Sequence, residues 1–434
     1  MRVPFTKSTL PNGLDVIVHE DHRVPIVAVN VWYHVGSKNE VPGRTGLAHL
    51  FEHLMFEGSE HQRRSYFEPL QEAGASINGS TSTDRTNYWE VVPKEAAARA
   101  LWMEADRMGW LLPALTDERF ATQRDVVLNE RRQSYENRPY GLAQFALLDA
   151  IFPADHPYHW PTIGYPVDLL AATADDARAF FSRYYHPGNA SLCIGGDIDA
   201  GAALDLASRY FSEIPAGPAI AAVEVTAPVA TPRRLVLEDR VELPRLYLAW
   251  PSPALFAPDD AELDLVADLL ANGRTSRLYE RLTHEARIAT ELAASQGSRE
   301  LGSYFQIVAS AAPGHTLAEL EAAIAHELHV LSTEGPTAPE LERGRAQAEA
   351  SFVYRLQTLG GFGGRTDQLN AYNVYRDQPD SFDDDLRRYL QPAPAALRAA
   401  VQRWLDPQKA VALSVVPRGR ADLALPGSTP VSLT

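Results

Sequence analysis

The second half of the chain weakly repeats the first half, and this internal repeat constrains the fold more than any other feature. The segment Asp239–Pro244 followed by Arg245–Trp250 resembles His22–Pro25 followed by Ile26–Trp32. In both halves a strand-like segment precedes an apolar helix-like segment. Because a repeated sequence unit folds in the same way each time, we expect two similar α+β halves, each a sheet packed with helices.

A segment of unusual composition separates the two halves. Residues 214–232 contain four prolines and one charged residue, Glu224. This composition favours an exposed linker over a helix or strand within a core. We therefore predict an N-terminal α+β domain at 1–215, a linker at 216–232 and a C-terminal α+β domain at 233–434.

Composition limits the classes of partner. The 434 residues include 56 acidic and 40 basic side chains, giving a formal net charge of -16. An acidic surface disfavours nucleic acids and anionic membranes as main partners.

The single cysteine, Cys193, excludes an intrachain disulfide and a zinc site built from several thiolates. No apolar run reaches the roughly 18 residues of a membrane helix, and the N-terminus lacks a signal-peptide core. These features predict a cytoplasmic protein, or a periplasmic one if a signal peptide has been removed.

The pentapeptide His49-Leu50-Phe51-Glu52-His53 is the sharpest chemical signal, and it lies in a segment predicted to be helical. On a helix of 3.6 residues per turn, His49 and His53 project from one face, and Glu52 lies beside them. Two imidazoles at this spacing can bind one metal ion, and a neighbouring carboxylate can act as general base on water. The order of the residues is that of the inverted zinc-peptidase motif. The alternative is a helix that buries two hydrogen-bonded histidines beside an unrelated glutamate.

A catalytic zinc ion needs a third protein ligand, and spacing alone does not choose it. The predicted helix after Asp117 offers Asp125, Glu130 and Glu136, each of which is also explained as a solvated carboxylate. In the second half, the repeat aligns Asp264, Ala267 and Asp268 with His49, Glu52 and His53. These three residues do not reproduce the metal-binding motif. Only the first half is therefore expected to contain a metal site.

The chain resembles the pitrilysin family of zinc peptidases, which includes insulin-degrading enzyme and mitochondrial processing peptidase. The resemblance covers most of the chain and rests on four segments: Leu10-Pro11-Asn12-Gly13-Leu14, the helix from Gly46 to Phe56, the hairpin residues Asn78–Thr81 with Asp84-Arg85-Thr86, and Val126–Glu130. It implies that His49, His53 and Glu130 bind zinc and that Glu52 is the general base. In length the chain resembles the short bacterial-type subunits of the family.

The resemblance also implies that four residues of one hairpin strand, Asn78, Gly79, Ser80 and Thr81, form a substrate-binding edge. An open strand edge can add an extended peptide through main-chain hydrogen bonds. Without the resemblance, an ordinary interior hairpin strand would be the favoured interpretation.

The chain departs from the family pattern in its second half. Active members have an Arg and a Tyr there that contact the substrate carbonyl, but the aligned positions hold Thr283 and Thr290. Arg281 and Arg287 lie nearby but out of register, and Gln123 replaces a carboxylate that family members often have before the last ligand. In some family dimers one subunit has the zinc motif and the other has the Arg and Tyr. We therefore expect a second family subunit as partner, with a heterodimer favoured and a homodimer as the alternative.

The sequence thus predicts a zinc metalloendopeptidase that hydrolyses peptides or unfolded segments, with Zn2+ as cofactor and Glu52 as general base. The alternatives are a non-catalytic scaffold subunit of a larger complex and a peptide-binding subunit whose zinc is structural. The complete motif favours the peptidase, because inactive family members usually lose it.

Overall fold

The structure, a computed structural model, describes residues 2–226, 228 and 231–431. Positions 227, 229 and 230 of the predicted linker lie outside the described residues, as do positions 1 and 432–434 at the predicted domain ends. The described strands are β1 (Thr6–Thr9), β2 (Asp15–Glu20), β3 (Ile26–Tyr33), β4 (Ser76–Thr81), β5 (Thr86–Pro93), β6 (Ala190–Gly196), β7 (Arg233–Asp239), β8 (Arg245–Ser252), β9 (Ala289–Gly297), β10 (Ser303–Ala311), β11 (Val411–Pro417) and β12 (Thr429–Pro430).

The described α-helices are α1 (Leu47–Leu54), α2 (Phe67–Glu72), α3 (Ala97–Trp110), α4 (Asp117–Arg131), α5 (Ala143–Ile151), α6 (Pro166–Ala171), α7 (Ala174–Tyr184), α8 (Ala200–Phe211), α9 (Asp260–Ala271), α10 (Leu317–Glu334), α11 (Ala338–Gln357), α12 (Arg365–Arg376), α13 (Phe382–Leu390) and α14 (Pro394–Trp404). Across the described ranges, no helix combines the length and apolar character needed to cross a bilayer.

The chain divides into two compact units that do not follow its order. The first unit comprises the chain up to Asn129, Trp160–Val223 and Ser351–Asp384. The second comprises Glu130–His159, Glu224–Ala350 and the chain from Asp385. Helix α5 therefore belongs to the second unit, although its sequence lies in the first half, and α12 belongs to the first unit. The described residues of the predicted linker form no helix or strand, and the domain boundaries at 215 and 233 stay a prediction.

The first unit is built on a six-stranded sheet in the order β1-β2-β6-β3-β5-β4. The inner strand β3, with the sequence Ile-Val-Ala-Val-Asn-Val-Trp-Tyr, is buried along almost all of its length, as expected for a strand covered on both faces. Alternate side chains of the sheet face opposite sides. On one side Trp32 donates its indole N–H to Asp367 of α12, at 2.7 Å. On the other side the Tyr88 hydroxyl donates to the Phe51 carbonyl of α1, at 3.5 Å.

The second unit contains a six-stranded sheet with the matching order β12-β7-β11-β8-β10-β9. On one face, Leu248 and Trp250 pack with side chains from α9, α10 and α14. On the other face, Tyr247 and Ala249 pack with side chains from α5. In each sheet one inner pair of strands is parallel, β2 with β6 and β7 with β11. The predicted pair of similar α+β halves is thus confirmed.

Two predicted helices differ in their bounds. The sequence pattern predicts one helix over Asp168–Tyr184, but the structure has two, because Thr173 begins a new one by accepting the Asp176 backbone N–H in a capping box. Since proline is tolerated in the first turn of a helix, Pro93 predicts a helix that begins there, but the helix begins at Ala97, because Pro93 is the last residue of β5 and a short 3-10 turn follows it.

Candidate active site

Helix α1 places the histidine motif on the rim of the first unit's core. Its large apolar side chains are fully buried, namely Leu47, Leu50, Phe51 and Leu54. The three polar side chains of the motif are half-buried on the remaining face, as the helical spacing predicts. The helix begins after Gly46, whose φ of 90° lies in the left-handed region. A Cβ there would also lie 2.9 Å from the Leu169 side chain, so this close approach requires glycine.

A buried carboxyl group from outside the helix holds its first turn. The two oxygens of Glu40 accept the backbone N–H of Gly46 at 2.9 Å and that of Ala48 at 2.8 Å. Asp168 accepts both the backbone N–H and the hydroxyl of Thr45, at 3.1 and 2.7 Å. These bonds satisfy N–H groups that have no partner within the helix, and they fix the point at which α1 begins.

Burial dominates the electrostatics of Glu40. It raises the pKa of Glu40 to about 8, although the two N–H groups from α1 and the Trp160 indole favour the ionised form. The nearby Asp168 adds to the rise. The start of α1 therefore contains a carboxyl group that is largely protonated at neutral pH.

The structure brings His49, His53 and Glu130 together. The two imidazole rings lie 4.9 Å apart between centroids, at an interplanar angle of 81°. One ligand atom from each of the three residues lies within 4.8 Å of the others, and all three side chains are half-buried. Helix α4 belongs to the first unit through Asn129, and Glu130 is the next residue of the same helix. Two imidazole nitrogens and one carboxylate oxygen are the donor set of a catalytic zinc site with an open fourth position.

The other two candidates for the third ligand do not belong to this group. Asp125 is 65% exposed and lies 3.5 Å from the Arg124 guanidinium. Glu136 accepts from the Arg131 guanidinium at 2.9 Å, in the π-helical turn Arg132–Glu136 that follows α4. The fold thus distinguishes among three carboxylates that helical spacing alone left equivalent.

Two buried tyrosines lie under α1, within electrostatic reach of Glu52. Tyr88 contacts the helix through its bond to the Phe51 carbonyl, and the Tyr185 ring lies 5.3 Å from the Phe51 ring. Burial raises the pKa of both phenols, and the Glu52 carboxylate adds to the rise. Both phenols therefore stay neutral at pH 7. The side of α1 that they contact meets O–H dipoles and no phenolate charge.

Strand β4 is the edge of its sheet, as the substrate-binding hypothesis requires. The hairpin turn closes with the Ser82 N–H bonded to the Arg85 carbonyl at 2.8 Å. Hydrogen-bonded pairs alternate along an antiparallel ladder, so the N–H and C=O groups of Ile77, Gly79 and Thr81 point to the open side. Among the four predicted substrate-binding residues, Gly79 and Thr81 present backbone groups at this edge.

The other two predicted substrate-binding residues have different positions. Asn78 and Ser80 direct their backbone groups toward β5. The Asn78 side-chain oxygen accepts the Gly79 N–H at 2.8 Å, and the Ser80 hydroxyl donates to Asn87 at 2.7 Å. The Asn78 side chain is therefore already bonded to the Gly79 N–H, which is one of the outward-pointing donors of the open edge.

The second unit has no Arg and Tyr at the aligned family positions. Thr283 lies in the π-helical turn Tyr279–Glu285, and the Thr290 hydroxyl on β9 donates to the Ser310 carbonyl at 3.5 Å. Helix α9, which corresponds to α1 in the repeat, has Asp264 in place of the first histidine. Burial raises the pKa of Asp264 to about 7, and this carboxyl group accepts from the Tyr389 hydroxyl at 2.8 Å. Asp264, Ala267 and Asp268 supply no imidazole, in contrast to the group of His49, His53 and Glu130.

Sequence reasoning missed Glu40, Asp168, Tyr88 and Tyr185. The two carboxyl groups stabilise the start of α1 from a loop and from α6, outside the positions where a capping motif is sought. No local pattern reveals such contacts. The alternation of β5 does place Tyr88 on the same face as Gly79, and this was the one available signal.

Comparisons with known proteins agree with this geometry. Residues 15–160 match the family described as Insulinase (Peptidase family M16), and residues 171–348 match the Peptidase M16 inactive domain. The chain is 30% identical over 362 residues to "Zinc protease PqqE" of Helicobacter pylori, covering 82% of this chain and 81% of that protein. It is 25% identical over 300 residues to "Mitochondrial-processing peptidase subunit beta" of Lentinula edodes, covering 65% and 62%.

A solved structure shows the same fold. A crystal structure of a protease from Helicobacter pylori superposes with a TM-score of 0.87 and 26% sequence identity. The match covers 96% of this chain and 100% of that chain. The similarity therefore extends over both units and is not confined to the motif.

Proposed function

Because the chain belongs to the insulinase family of peptidases, family M16, we propose that it is a zinc-dependent endopeptidase acting on peptides or unfolded segments. The observation that supports this most directly is the grouping of His49, His53 and Glu130 beside Glu52. The relatives named zinc proteases agree with this proposal.

The three ligand residues fit zinc. Their donor atoms comprise two imidazole nitrogens and one carboxylate oxygen within 4.8 Å of one another, and zinc binds such atoms at about 2.0–2.2 Å. Zinc bound there would supply the positive charge that polarises a peptide carbonyl and makes a water molecule acidic near neutral pH. The anchored start of α1 holds His49 and His53 in place for this purpose.

Glu52 is the proposed general base. It lies one residue before His53 on the half-buried face of α1, so its carboxylate is on the same side as the ligands. It takes the proton of the attacking water and later gives it to the leaving amine.

The edge of β4 is the proposed substrate-binding surface. An extended main chain can pair with the outward groups of Ile77 and Thr81 and with the Gly79 carbonyl, whose N–H is bonded to Asn78. A folded substrate has most of its backbone groups already paired. The edge therefore favours peptides and unfolded segments.

A second family subunit is the proposed partner. Thr283 and Thr290 stand where active members have a carbonyl-binding Arg and Tyr, so this chain is expected to obtain that function from another subunit. One relative is named as the beta subunit of a mitochondrial processing peptidase. A heterodimer is favoured, with a homodimer as the alternative.

The test compares the zinc-loaded chain with its Glu52→Gln variant, using fluorescence-quenched peptides and native mass spectrometry. We expect one zinc ion per chain in both proteins, and a loss of turnover of about 100- to 10,000-fold in the variant. Glu72→Gln, at the exposed end of α2, is the matched control and should keep full turnover. Retained turnover in Glu52→Gln would exclude the general-base role. Absence of turnover in the parent chain, alone and with other family subunits of its source, would favour the scaffold alternative.

A further inference from the structure

A glycine-rich loop lies on the face of the first sheet opposite α1. This loop, Gly360–Gly364, joins α11 to α12. It is preceded by Leu359, whose side chain lies over Gly195 of β6, at 3.2 Å from the position of a Cβ there. A Cβ on Gly360 would lie 2.5 Å from the Val91 side chain of β5, so the backbone rests directly on the sheet. The chain therefore crosses from β6 toward β5 as it enters the loop.

The tip of the loop reaches β5, the strand next to the edge strand β4. The Cβ position of Gly361 lies 3.9 Å from the Trp89 ring on β5. The Phe362 ring contacts Trp89 edge to face, with 5.5 Å between centroids and an interplanar angle of 87°. Since β4 is the next strand after β5, Phe362 packs one strand away from the open edge.

The loop is anchored, although its tip is exposed. The Gly363 N–H donates to one oxygen of the buried Asp367 at 2.7 Å. The other oxygen accepts from Trp32 at 2.7 Å and from Asn87 at 2.9 Å. Phe362 is nevertheless 49% exposed. The hydrogen bonds of Asp367 thus hold the loop in place, while about half of the Phe362 side chain is exposed to solvent.

A peptide added to β4 would bring side chains to this ring. Trp89 is the register partner of Asn78, so both side chains lie on the face opposite α1. An added strand lies about 4.8 Å beyond β4 and sends every second side chain to that same face. These side chains lie on the same face of the sheet as Trp89 and Phe362, whereas the intervening ones extend toward the face of α1.

We propose that Phe362 and Trp89 form a subsite for an apolar, preferably aromatic, side chain of the bound peptide. This inference rests on the proposed peptidase function and adds a specificity determinant to it. The subsite contacts a side chain that points away from the face of the metal ligands. It therefore selects which sequences bind and takes no part in bond cleavage.

The test measures binding without catalysis. The zinc-loaded Glu52→Gln protein is titrated with fluorescent peptides in which a single Phe is moved along an otherwise Ser- and Ala-rich sequence. We expect Phe to tighten binding about 3- to 10-fold at alternate positions only. Adding Phe362→Ala should reduce the ratio of the affinities for peptides with and without Phe to near 1. The affinity for the peptide without Phe should stay unchanged. Phe362→Tyr should keep the preference.

The matched control is Leu170→Ala, which removes another exposed apolar side chain, on α6, and should leave the preference intact. If the peptides bind but Phe362→Ala leaves the Phe preference unchanged, the subsite is excluded and the proposed function stands. An equal loss of affinity for all peptides would also exclude it, because that result indicates general damage to the edge. If no peptide binds to a zinc-loaded parent, the proposed function and the subsite both fail.

Discussion

The Glu40 carboxyl group accepts the backbone N–H of Ala48 at 2.8 Å, directly before the first histidine of the motif. Its other oxygen accepts the Gly46 N–H. The position of α1, the helix with the histidine motif, is therefore determined in part by a buried group that the motif does not contain. Changes at Glu40 are expected to affect both the stability of the first unit and the geometry of its ligands.

Glu40 should make stability depend on pH. Burial raises its pKa to about 8 in the folded protein, whereas a glutamate in an unfolded chain titrates near ~4.3. Between these values the folded state holds a proton that the unfolded state releases. The stabilisation is thus complete below pH ~4.3 and is lost as the pH rises toward 8.

Relative to Glu40→Gln, the free energy of unfolding of the parent should fall by up to about 1.4 kcal/mol per pH unit in this window. Urea unfolding of both proteins at pH 5.5, 6.5 and 7.5 measures this difference. Parallel profiles would contradict the prediction.

Glu130 should be the third zinc ligand. Glu130→Gln is expected to weaken zinc binding by more than ~100-fold, since loss of even an outer partner of a ligand costs about 10- to 100-fold. The control is Glu136→Gln, which alters a carboxylate that is bonded to Arg131 and lies outside the three-ligand group. Zinc affinity is measured by competition with a chromophoric chelator. Equal affinities for the two variants would refute the assignment.

Gly79 should tolerate no side chain. A Cβ there would lie 2.9 Å from the Tyr88 ring and 3.1 Å from the Phe56 ring. Gly79→Ala is expected to destabilise the protein by about 1–3 kcal/mol through overpacking and to weaken peptide binding at the displaced edge, with zinc stoichiometry unchanged. Gly201→Ala on α8, where the Cβ position has no neighbour within 4 Å, should be neutral or slightly stabilising. Chemical unfolding and peptide titration of both variants check this. A fully stable Gly79→Ala protein with normal peptide binding would disprove it.

Among the ionic residues of the first unit, Arg107 should lower the free energy of unfolding most when it is replaced. Its guanidinium is buried, bonded to the Glu104 carboxylate, and stacked 4.0 and 4.1 Å from the ring centroids of Tyr66 and Tyr88. Arg107→Met leaves Glu104 buried without its cation, which typically costs about 3–5 kcal/mol. The double variant Arg107→Met with Glu104→Gln should recover part of that loss.

An exposed ion pair provides the comparison for Arg107. Arg420 bonds to Asp422 at 2.9 Å, and both side chains are more than half exposed. Arg420→Met should therefore change the free energy of unfolding by less than about 1 kcal/mol. Urea unfolding of the three variants and the parent provides the measurement. A single Arg107 variant no less stable than the double variant would show that the charge pair is not the cause.

Much of the local structure could be predicted because it depends on short-range periodicity. A segment rich in Val and Ile indicated β3, and a run of Leu, Phe and His indicated α1 with its two histidines on one face. The internal repeat predicted two similar halves, and the matching strand orders confirm it. The break at Thr173 was missed, although its capping box is a local signal, because the apolar pattern continued through it.

The sequence by itself determined the histidine motif, the hairpin and the repeated α+β plan, since each is a pattern that can be recognised in the chain without its tertiary contacts. Only the tertiary structure decided which carboxylate joins the histidines, that Glu40 anchors α1, and that Phe362 packs on Trp89. It also decided that α5 and α12 belong to units other than the ones their sequence position indicates. These relationships join residues that are distant in the chain, and they exist only once the strand order has brought those residues together.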